Sequence, residues 1–400
     1  MKRQRGKISP ADFFTRAAGR HCLPDGIQVT TARMSSSLQN DVQRLFDRLV
    51  AEDKERGLQA AVFFRGELVV HAWAGLADPS RNVAVTGDTL FPVFSCGKGV
   101  TYTLIHRLVE RGLLAYEQPI ADVWPEFGAA GKSGLTLRHA LDHTAGLQFM
   151  PPGAGYAELC DWIAMCAAIA RMAPAWTPGS RREYHAITSC WILGEAACRA
   201  TGRAFEKLLQ EEIRAPLGLK NLFMGIPDEV EPRVAPLEEV GPAEDFPAVD
   251  YPQAVPNWVQ PLYQFMNRSD VRRACLPASN GIMTAHDLAR HYAALCPGGV
   301  DGVELLPPAR VAQALEPADA SVATNMGPIG LGYGLGEEGS AMGGRKTCFG
   351  TGGHGGSLGF ADLDHGLALA FARNRLRDPS GTDTARLLAD CVREGLHIKN

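Results

Sequence analysis

Ser95 and Lys98 stand three residues apart in the segment "FPVFSCGKGVTYTLIHRLVERG", where a helix is predicted to begin. Residues i and i+3 share one face of a helix, so the lysine amine can reach the serine hydroxyl. Free backbone N–H groups and the positive end of the helix dipole lie in the same turn. Burial disfavours the charged form of a lysine, so its amine can accept the proton of the serine. The pair therefore predicts a nucleophilic serine with a lysine base, or else a helix cap with a surface lysine nearby.

Two further segments carry groups that suit the same chemistry. Tyr184, in "RREYHAIT", stands at the start of a predicted helix far along the chain, and its hydroxyl can donate or accept a proton. His354 lies in "GGHGGSLGF", which we predict to be an edge strand. Glycines on both sides of His354 would let the backbone or the acyl group of a substrate approach closely. These segments favour the catalytic interpretation of Ser95.

Ser357 is a competing candidate for the nucleophile, because residues 355–359 fit the G-x-S-x-G pattern of α/β-hydrolases. That pattern requires a helix directly after the serine, and then an acid and a histidine downstream. The residues that follow instead predict a strand hairpin that turns at Asp364-His365-Gly366. Only 43 residues remain after Ser357, too few to complete such a sheet.

A metal site is a third possibility, since His139 and His143 are four residues apart with Asp142 between them. The sequence offers no third ligand, and a helix cap followed by a turn at "DHTAGL" explains the same residues. The chain also lacks a Cys-x-x-Cys pair. We therefore expect no metal and no cofactor.

The order of the predicted elements indicates an α/β fold in two parts. Strand patterns predict a sheet domain of residues 37–93 and 281–400, and helical patterns fill residues 94–280 between them. The expected architecture is an antiparallel sheet flanked by helices, with a mainly helical domain inserted. Residues 1–36 are predicted to be an irregular leader. Residues 225–262 are proline-rich, acidic and aperiodic, which predicts an active-site loop.

The composition is that of a soluble globular protein and argues against several classes of partner. Apolar residues make up 46% and charged residues 21% of the 400 residues, and the net charge is −4. This balance gives no sign of binding to nucleic acid or to an anionic membrane. The basic N-terminus lacks the apolar region of a signal peptide. We expect a cytoplasmic protein with free thiols, and the sequence leaves the oligomeric state open.

The segments together resemble the penicillin-recognising serine hydrolases, and most of all the family VIII carboxylesterases related to class C β-lactamases. The chain has the order of Ser-x-x-Lys, a later tyrosine and a late glycine-rich strand. The segments "LTLRHALDHTAGL", "IRAPLGLKNLFMGIP" and "PASNGIMTAHDLARHYAAL" are similar as well. The resemblance covers nearly the whole chain and implies the β-lactamase/transpeptidase-like fold.

The resemblance also implies roles for single residues. Ser95 would be the nucleophile, and Lys98 and Tyr184 would share the general acid–base work. The glycine-rich strand would supply the substrate-binding side, where His354 lines the acyl position with Gly355 and Gly356. The backbone N–H groups of the nucleophile and of Ser357 would form the oxyanion hole.

Two departures from the β-lactamase pattern favour esters over β-lactams. Tyr184-His185-Ala186 stands where β-lactamases carry Tyr-x-Asn, whose asparagine binds the substrate amide. His354 stands in place of the lysine of the Lys-Thr-Gly box, so the cation that holds a β-lactam carboxylate is missing or weakened. The expected function is hydrolysis of a small-molecule carboxylic ester. The alternatives are an acyltransferase with the same acyl-enzyme, a peptidase or weak β-lactamase, and a non-catalytic binding protein of the same fold.

Overall fold

The computed structural model describes residues 25–240, 246–376 and 381–399, with side chains from residue 36 onward. The α-helices of these residues are α1 (Asp25–Ala51), α2 (Cys96–Glu110), α3 (Leu137–Leu141), α4 (Tyr156–Leu159), α5 (Trp162–Arg171), α6 (Thr188–Thr201), α7 (Phe205–Leu209), α8 (Ala215–Leu217), α9 (Leu262–Met266), α10 (Ser269–Arg273), α11 (Ala285–Ala293), α12 (Pro308–Ala314) and α13 (Thr384–Gly395). The β-strands are β1 (Gly57–Phe64), β2 (Glu67–Asp78), β3 (Val83–Ala84), β4 (Phe91–Phe94), β5 (Arg181–Arg182), β6 (Leu222–Met224), β7 (Gly281–Met283), β8 (Ala323–Thr324), β9 (Gly334–Leu335), β10 (Cys348–Gly352), β11 (Leu358–Asp362) and β12 (Leu367–Arg373). None of the described helices is both long and apolar enough to cross a membrane.

Within the described residues, a seven-stranded antiparallel sheet joins strands from the two ends of the chain. Its order is β3-β2-β1-β12-β11-β10-β9, so the N-terminal hairpin pairs directly with the C-terminal one. In the central pair, Leu58 of β1 lies opposite Arg373 of β12. A second sheet has the order β4-β7-β6 and lies at the entry to α2. The predicted antiparallel sheet is confirmed, whereas the division of the chain into domains stays a prediction.

The large sheet separates two apolar layers, because large and small side chains alternate along β12. Leu367, Leu369 and Phe371 belong to one buried cluster, which α1 and α13 complete. The three alanines that alternate with them belong to the larger cluster on the opposite face. The small alanine side chains let α11 pack directly on β12 and β1. On the same face of the sheet, α2 packs against β10. The helix that carries Lys98 is thereby held against the sheet.

The N-terminal helix begins earlier than the sequence analysis indicated. Residues 25–36, predicted to belong to an irregular leader, are helical and form the first turns of α1. Residues 1–24 of that leader lie outside the described residues. The regular apolar stripe of α1 starts only at Leu38, so the periodicity could not reveal the earlier turns.

The predicted loop of residues 225–262 wraps from β6 to α9. Its described residues up to position 261 contain short 3₁₀ turns at Asp228–Arg233 and Asn257–Val259 and otherwise no helix or strand. Glu238 anchors the loop to the end of β12. Its N–H donates to the carbonyl oxygen of Asn374 at 2.8 Å, and its carbonyl oxygen accepts from the Leu376 N–H at 2.9 Å.

The turn between β10 and β11 packs against the junction of β4 and α2 with no space for a side chain. A Cβ atom on Gly353 would lie 2.1 Å from the Val93 carbonyl oxygen, whereas a Cβ atom on Gly352 would meet its nearest neighbour at 3.9 Å. We expect Gly353→Ala to lower the free energy of unfolding by about 1–3 kcal/mol, because the backbone must shift. Gly352→Ala, the matched control, should change it by less than about 0.5 kcal/mol.

Urea denaturation of the two variants measures this difference. Equal losses of unfolding free energy would contradict the tight packing of the turn against β4.

Candidate active site

Ser95 lies at the junction between β4 and α2, where the chain turns sharply. It directly precedes the first residue of α2, and its φ and ψ of −66° and −6° already have helical values. Phe94 before it has a φ of 50°, in the left-handed region that bulky residues rarely adopt. The N–H of Ser95 makes no hydrogen bond within the described residues. A free donor thus stands at the positive end of the helix dipole.

The amine of Lys98 is buried and directed at the Ser95 hydroxyl. Only 1% of Lys98 is exposed. Its Nζ donates to the carbonyl oxygens of Ala186 at 2.7 Å and Ala278 at 2.6 Å, and lies 3.0 Å from Ser95 Oγ. In the described part of the chain no carboxylate pairs with it. Because two carbonyls fix two of its hydrogens, the remaining position of the amine faces the Ser95 hydroxyl.

Tyr184 approaches the same hydroxyl from the segment between β5 and α6. Its hydroxyl donates to Ser95 Oγ at 3.0 Å, and its side chain is 40% exposed. The Lys98 amine lies 5.0 Å from the centroid of its ring. The structure therefore brings together all three predicted catalytic residues around one oxygen atom.

His185, next to Tyr184, points away from Ser95. It is fully buried, its Nδ1 donates to the Glu183 carbonyl oxygen at 2.7 Å, and its Nε2 accepts from the Leu147 N–H at 3.0 Å. Burial lowers the pKa of His185 to about 4. Both ring nitrogens are thus occupied in a neutral imidazole, which leaves no lone pair for the proton of Ser95.

The glycine-rich segment after β10 is a turn, which corrects the predicted edge strand. Gly355 and Gly356 have φ values of 84° and 100°, a conformation that glycine adopts without strain. His354 lies in this turn and is exposed. Its ring stands edge to face with that of Phe94, with 5.4 Å between the centroids. The segment reverses the chain between the neighbouring antiparallel strands β10 and β11, so it is not itself a strand.

Ser357 is not among the residues that line the cavity at Ser95, and its place in the oxyanion hole stays a prediction. Its side chain is only 3% exposed, and its carbonyl oxygen accepts from the Gly353 N–H at 2.7 Å. Its hydroxyl oxygen accepts from the Arg373 N–H at 3.4 Å. The strand β11 follows it directly, so the helix that the α/β-hydrolase pattern requires is not there.

A cavity of about 360 Å³ opens at Ser95, and most of its wall is apolar. Its polar side chains are those of Ser95, Tyr184, Ser279 and His354. Its apolar side chains are those of Phe94, Leu159, Ala186, Ile187, Val255, Val259, Leu262, Phe265 and Met266, and Gly352 completes the lining. Gly355, Gly356 and Ser357 do not line it. Among the described lining residues there is no lysine or arginine, so no fixed positive charge faces a bound molecule.

Part of the cavity lining was not predicted from the sequence. Val255 and Val259 belong to the predicted active-site loop, but Phe265 and Met266 lie on α9, which was not predicted to take part. A helix of five residues is too short to show an apolar period. The one available signal was the cluster of large apolar residues directly after the loop.

The histidines of the "DHTAGL" region have different environments. Nδ1 of His139 accepts from the Thr136 N–H at 3.0 Å and completes a capping box at the start of α3. His139 therefore has the helix-capping role that the sequence also allowed. His143 is buried beside Tyr184. In the described ranges, no group of three or more His, Cys, Asp and Glu side chains is arranged to hold a metal ion.

Known proteins are similar to this chain in sequence and in the arrangement of strands and helices. Residues 42–392 match the profile of the family described as Beta-lactamase. The chain belongs to the β-lactamase family. The esterase/beta-lactamase LipL of Mycobacterium tuberculosis is 33% identical to it over 360 residues, which cover 84% of this chain and 81% of that protein.

Solved structures show the same fold. A penicillin-binding protein homologue from Caulobacter crescentus superimposes with a TM-score of 0.78 at 34% identity, over 90% of this chain and 97% of that one. A family VIII carboxylesterase gives a TM-score of 0.78 at 27% identity, with the same coverage. These likenesses confirm the predicted resemblance and the β-lactamase/transpeptidase-like fold. The protein is thus a member of a serine hydrolase family that includes proteins named esterases.

The geometry predicts which serine reacts with an electrophile. We expect a fluorophosphonate probe to label the wild-type protein and Ser357→Ala, and to leave Ser95→Ala unlabelled, because only Ser95 has a proton acceptor beside its hydroxyl. Intact-mass spectrometry measures the adduct. Labelling of Ser95→Ala at the wild-type rate, with loss in Ser357→Ala, would show that the nucleophile lies in the β10–β11 turn.

Proposed function

We propose that this protein is a serine esterase that hydrolyses small carboxylic esters through an acyl-enzyme on Ser95. The observation that carries the proposal is the contact of Ser95 Oγ with Lys98 and Tyr184, both at 3.0 Å, at the opening of an apolar cavity. A hydroxyl that has a proton acceptor and a proton donor at hydrogen-bond distance is suited to acyl transfer.

In the proposed acylation step, Ser95 Oγ attacks the ester carbonyl carbon and its proton passes to the neutral amine of Lys98. Tyr184 donates its proton to the departing alkoxide as the ester C–O bond breaks, and recovers one from the Lys98 ammonium. The carbonyl oxygens of Ala186 and Ala278 hold the amine in one orientation during the transfer. The alcohol leaves, and the acyl group stays on Ser95.

The negative charge on the carbonyl oxygen develops at the N-terminus of α2. There the Ser95 N–H and the helix dipole stabilise it. In this proposal the second donor is supplied by the backbone of the turn at His354, because His354 lines the cavity, whereas the Gly353 N–H already donates to the Ser357 carbonyl oxygen. In deacylation, water attacks the acyl carbonyl carbon and gives one proton to the amine of Lys98. Tyr184 then donates its proton to Ser95 Oγ as the bond between Ser95 and the acyl carbon breaks, and it recovers one from the Lys98 ammonium as the carboxylic acid departs.

The apolar wall favours the acyl part of an ester over the charged groups of a β-lactam. The described lining residues include no cation, so a β-lactam carboxylate would enter the cavity without a partner, at a cost in desolvation. An alkyl chain gains free energy at the same place. The choice of ester rests on this contrast.

Variants of the three polar residues test the proton transfers. We expect Tyr184→Phe and Lys98→Ala each to lower kcat on p-nitrophenyl acetate by about 10²–10⁴-fold, the usual range for general acid–base groups. The double variant should lose far less than the product of the two, because Lys98 and Tyr184 act in one proton relay.

His185→Ala is the matched control for these variants. It should lower kcat far less, and lower the free energy of unfolding by about 1–3 kcal/mol, since the buried Leu147 N–H loses its acceptor. An inactive but folded His185→Ala, together with a Tyr184→Phe enzyme close to wild type, would make His185 the base.

A substrate panel tests the apolar cavity. From p-nitrophenyl acetate to the butanoate, we expect kcat/KM to rise by about fourfold per CH2 group, which corresponds to about 0.8 kcal/mol of buried surface. Nitrocefin should be turned over far more slowly than any of these esters. A flat profile, or nitrocefin hydrolysis as fast as that of the acetate, would refute the proposed substrate class.

A further inference from the structure

His143 occupies an unusual place in the turn that follows α3. It is only 2% exposed, and its φ of 61° puts it in the left-handed region. Glycine and asparagine are the usual residues there, so a histidine in this conformation must be held by its surroundings. Those surroundings are the segment that carries Tyr184.

His143 contacts that segment at three points. The Glu183 N–H donates to the carbonyl oxygen of His143 at 3.2 Å, and the His185 N–H donates to its Nδ1 at 3.2 Å. Between these two bonds, the imidazole lies against the ring of Tyr184, with 5.1 Å between the centroids. One residue therefore holds the backbone on both sides of Tyr184 and packs on the ring between them.

The protonation state of His143 suits this contact. Since Nδ1 accepts a hydrogen bond, the hydrogen is on Nε2, which donates to the Tyr102 hydroxyl at 3.4 Å. Burial lowers the pKa of His143 well below its usual value, and the neighbouring His185 and Lys98 act in the same direction. The ring is neutral, so Nδ1 stays available as an acceptor.

The Tyr184 hydroxyl needs such support. Tyr184 is 40% exposed and lies in an irregular stretch between the two-residue strand β5 and α6. Local secondary structure does not fix its side chain, yet its hydroxyl must stay at hydrogen-bond distance from Ser95. Proton transfer is sensitive to displacements of this group by about 1 Å.

We propose that His143 is a positioning residue that holds Tyr184 in line with Ser95 for proton transfer. The inference rests on the proposed function, because it requires Tyr184 to act in catalysis. His143 does not itself line the cavity, and its contact with the site is through Tyr184.

The turn has bonds that do not depend on the His143 side chain, so variants at this position should keep it. The N–H and hydroxyl of Thr144 donate to Asp142 Oδ1 at 3.2 and 2.6 Å. Arg182 Nε donates to the Asp142 carbonyl oxygen at 3.1 Å. The backbone bond from Glu183 to His143 also survives a change of side chain.

Two substitutions separate the imidazole from the backbone conformation. His143→Gly accepts a φ of 61° but removes both the ring and the acceptor. His143→Asn also tolerates this φ, and its side-chain oxygen can accept from the His185 N–H. We expect His143→Gly to lower kcat on p-nitrophenyl acetate, and the rate of fluorophosphonate labelling, by about 10–100-fold with little change in KM. His143→Asn should regain at least about tenfold of a hundredfold loss.

The decisive measurement repeats both substitutions in a Tyr184→Phe background. If His143 acts through Tyr184, each should then cost less than about threefold, because there is no hydroxyl left to position. Equal losses in both backgrounds would show a merely structural role and overturn the inference. Should His143→Gly fail to fold, by circular dichroism and thermal melting, the same comparison is made with His143→Asn, which then loses about tenfold only where Tyr184 is present.

Failure of the proposed function gives a different result. Wild-type protein that is labelled at Ser95 but hydrolyses no p-nitrophenyl ester would refute the ester substrate, and the labelling rates would still test His143. A Tyr184→Phe protein that is labelled at the wild-type rate would overturn the role of Tyr184 and this inference with it.

Discussion

The buried amine of Lys98 is the group on which the rest of the site depends. A polar group removed from water costs free energy unless it finds hydrogen-bond partners, and Lys98 finds one in its own turn and two on distant segments of the chain. These are the Ser95 hydroxyl and the carbonyl oxygens of Ala186 and Ala278. The amine is satisfied only when the segments converge, and their convergence also carries Tyr184 to Ser95. The same contacts therefore satisfy the buried amine and define the candidate site.

The sheets make that convergence possible through small residues. Gly97 on α2 and Gly281 on β7 face each other, and a Cβ atom built on Gly281 would lie 3.1 Å from the Gly97 backbone. The helix and the strand can thus touch, which leaves Ala278, three residues before Gly281, with its carbonyl oxygen 2.6 Å from Lys98 Nζ. On the other side, the alanine face of β12 lets α11 approach the sheet closely. Larger side chains at these positions would increase the distance between the segments that hold the amine.

Those parts of the fold and the site that depend on short-range spacing were predictable from the sequence. A helix puts residues three apart on one face, so Ser95 and Lys98 could be paired without any tertiary information. The antiparallel sheet followed from the period-2 patterns at the two ends of the chain. The carbonyl partners of Lys98, on Ala186 and Ala278, could not be predicted, because a backbone carbonyl has no signature in the sequence. The strand predicted at His354 was wrong for another reason: a glycine-rich segment suits a strand and a turn equally well, and only the pairing of β10 with β11 distinguishes them.

Two of the described non-glycine residues with a left-handed backbone lie beside the hydroxyls of Ser95 and Tyr184. Phe94, directly before Ser95, and His143, beside Tyr184, both have left-handed φ values although neither is glycine. Such conformations cost about 1–3 kcal/mol each and persist only where the surrounding contacts determine them. Phe94 is 4% exposed and forms part of the cavity wall, and His143 is bonded to the backbone on both sides of Tyr184. Relaxing either residue would lower the local energy and move a hydroxyl out of line. The contacts around Phe94 and His143 therefore hold both conformations at a cost in stability, beside the hydrogen bond between Tyr184 and Ser95.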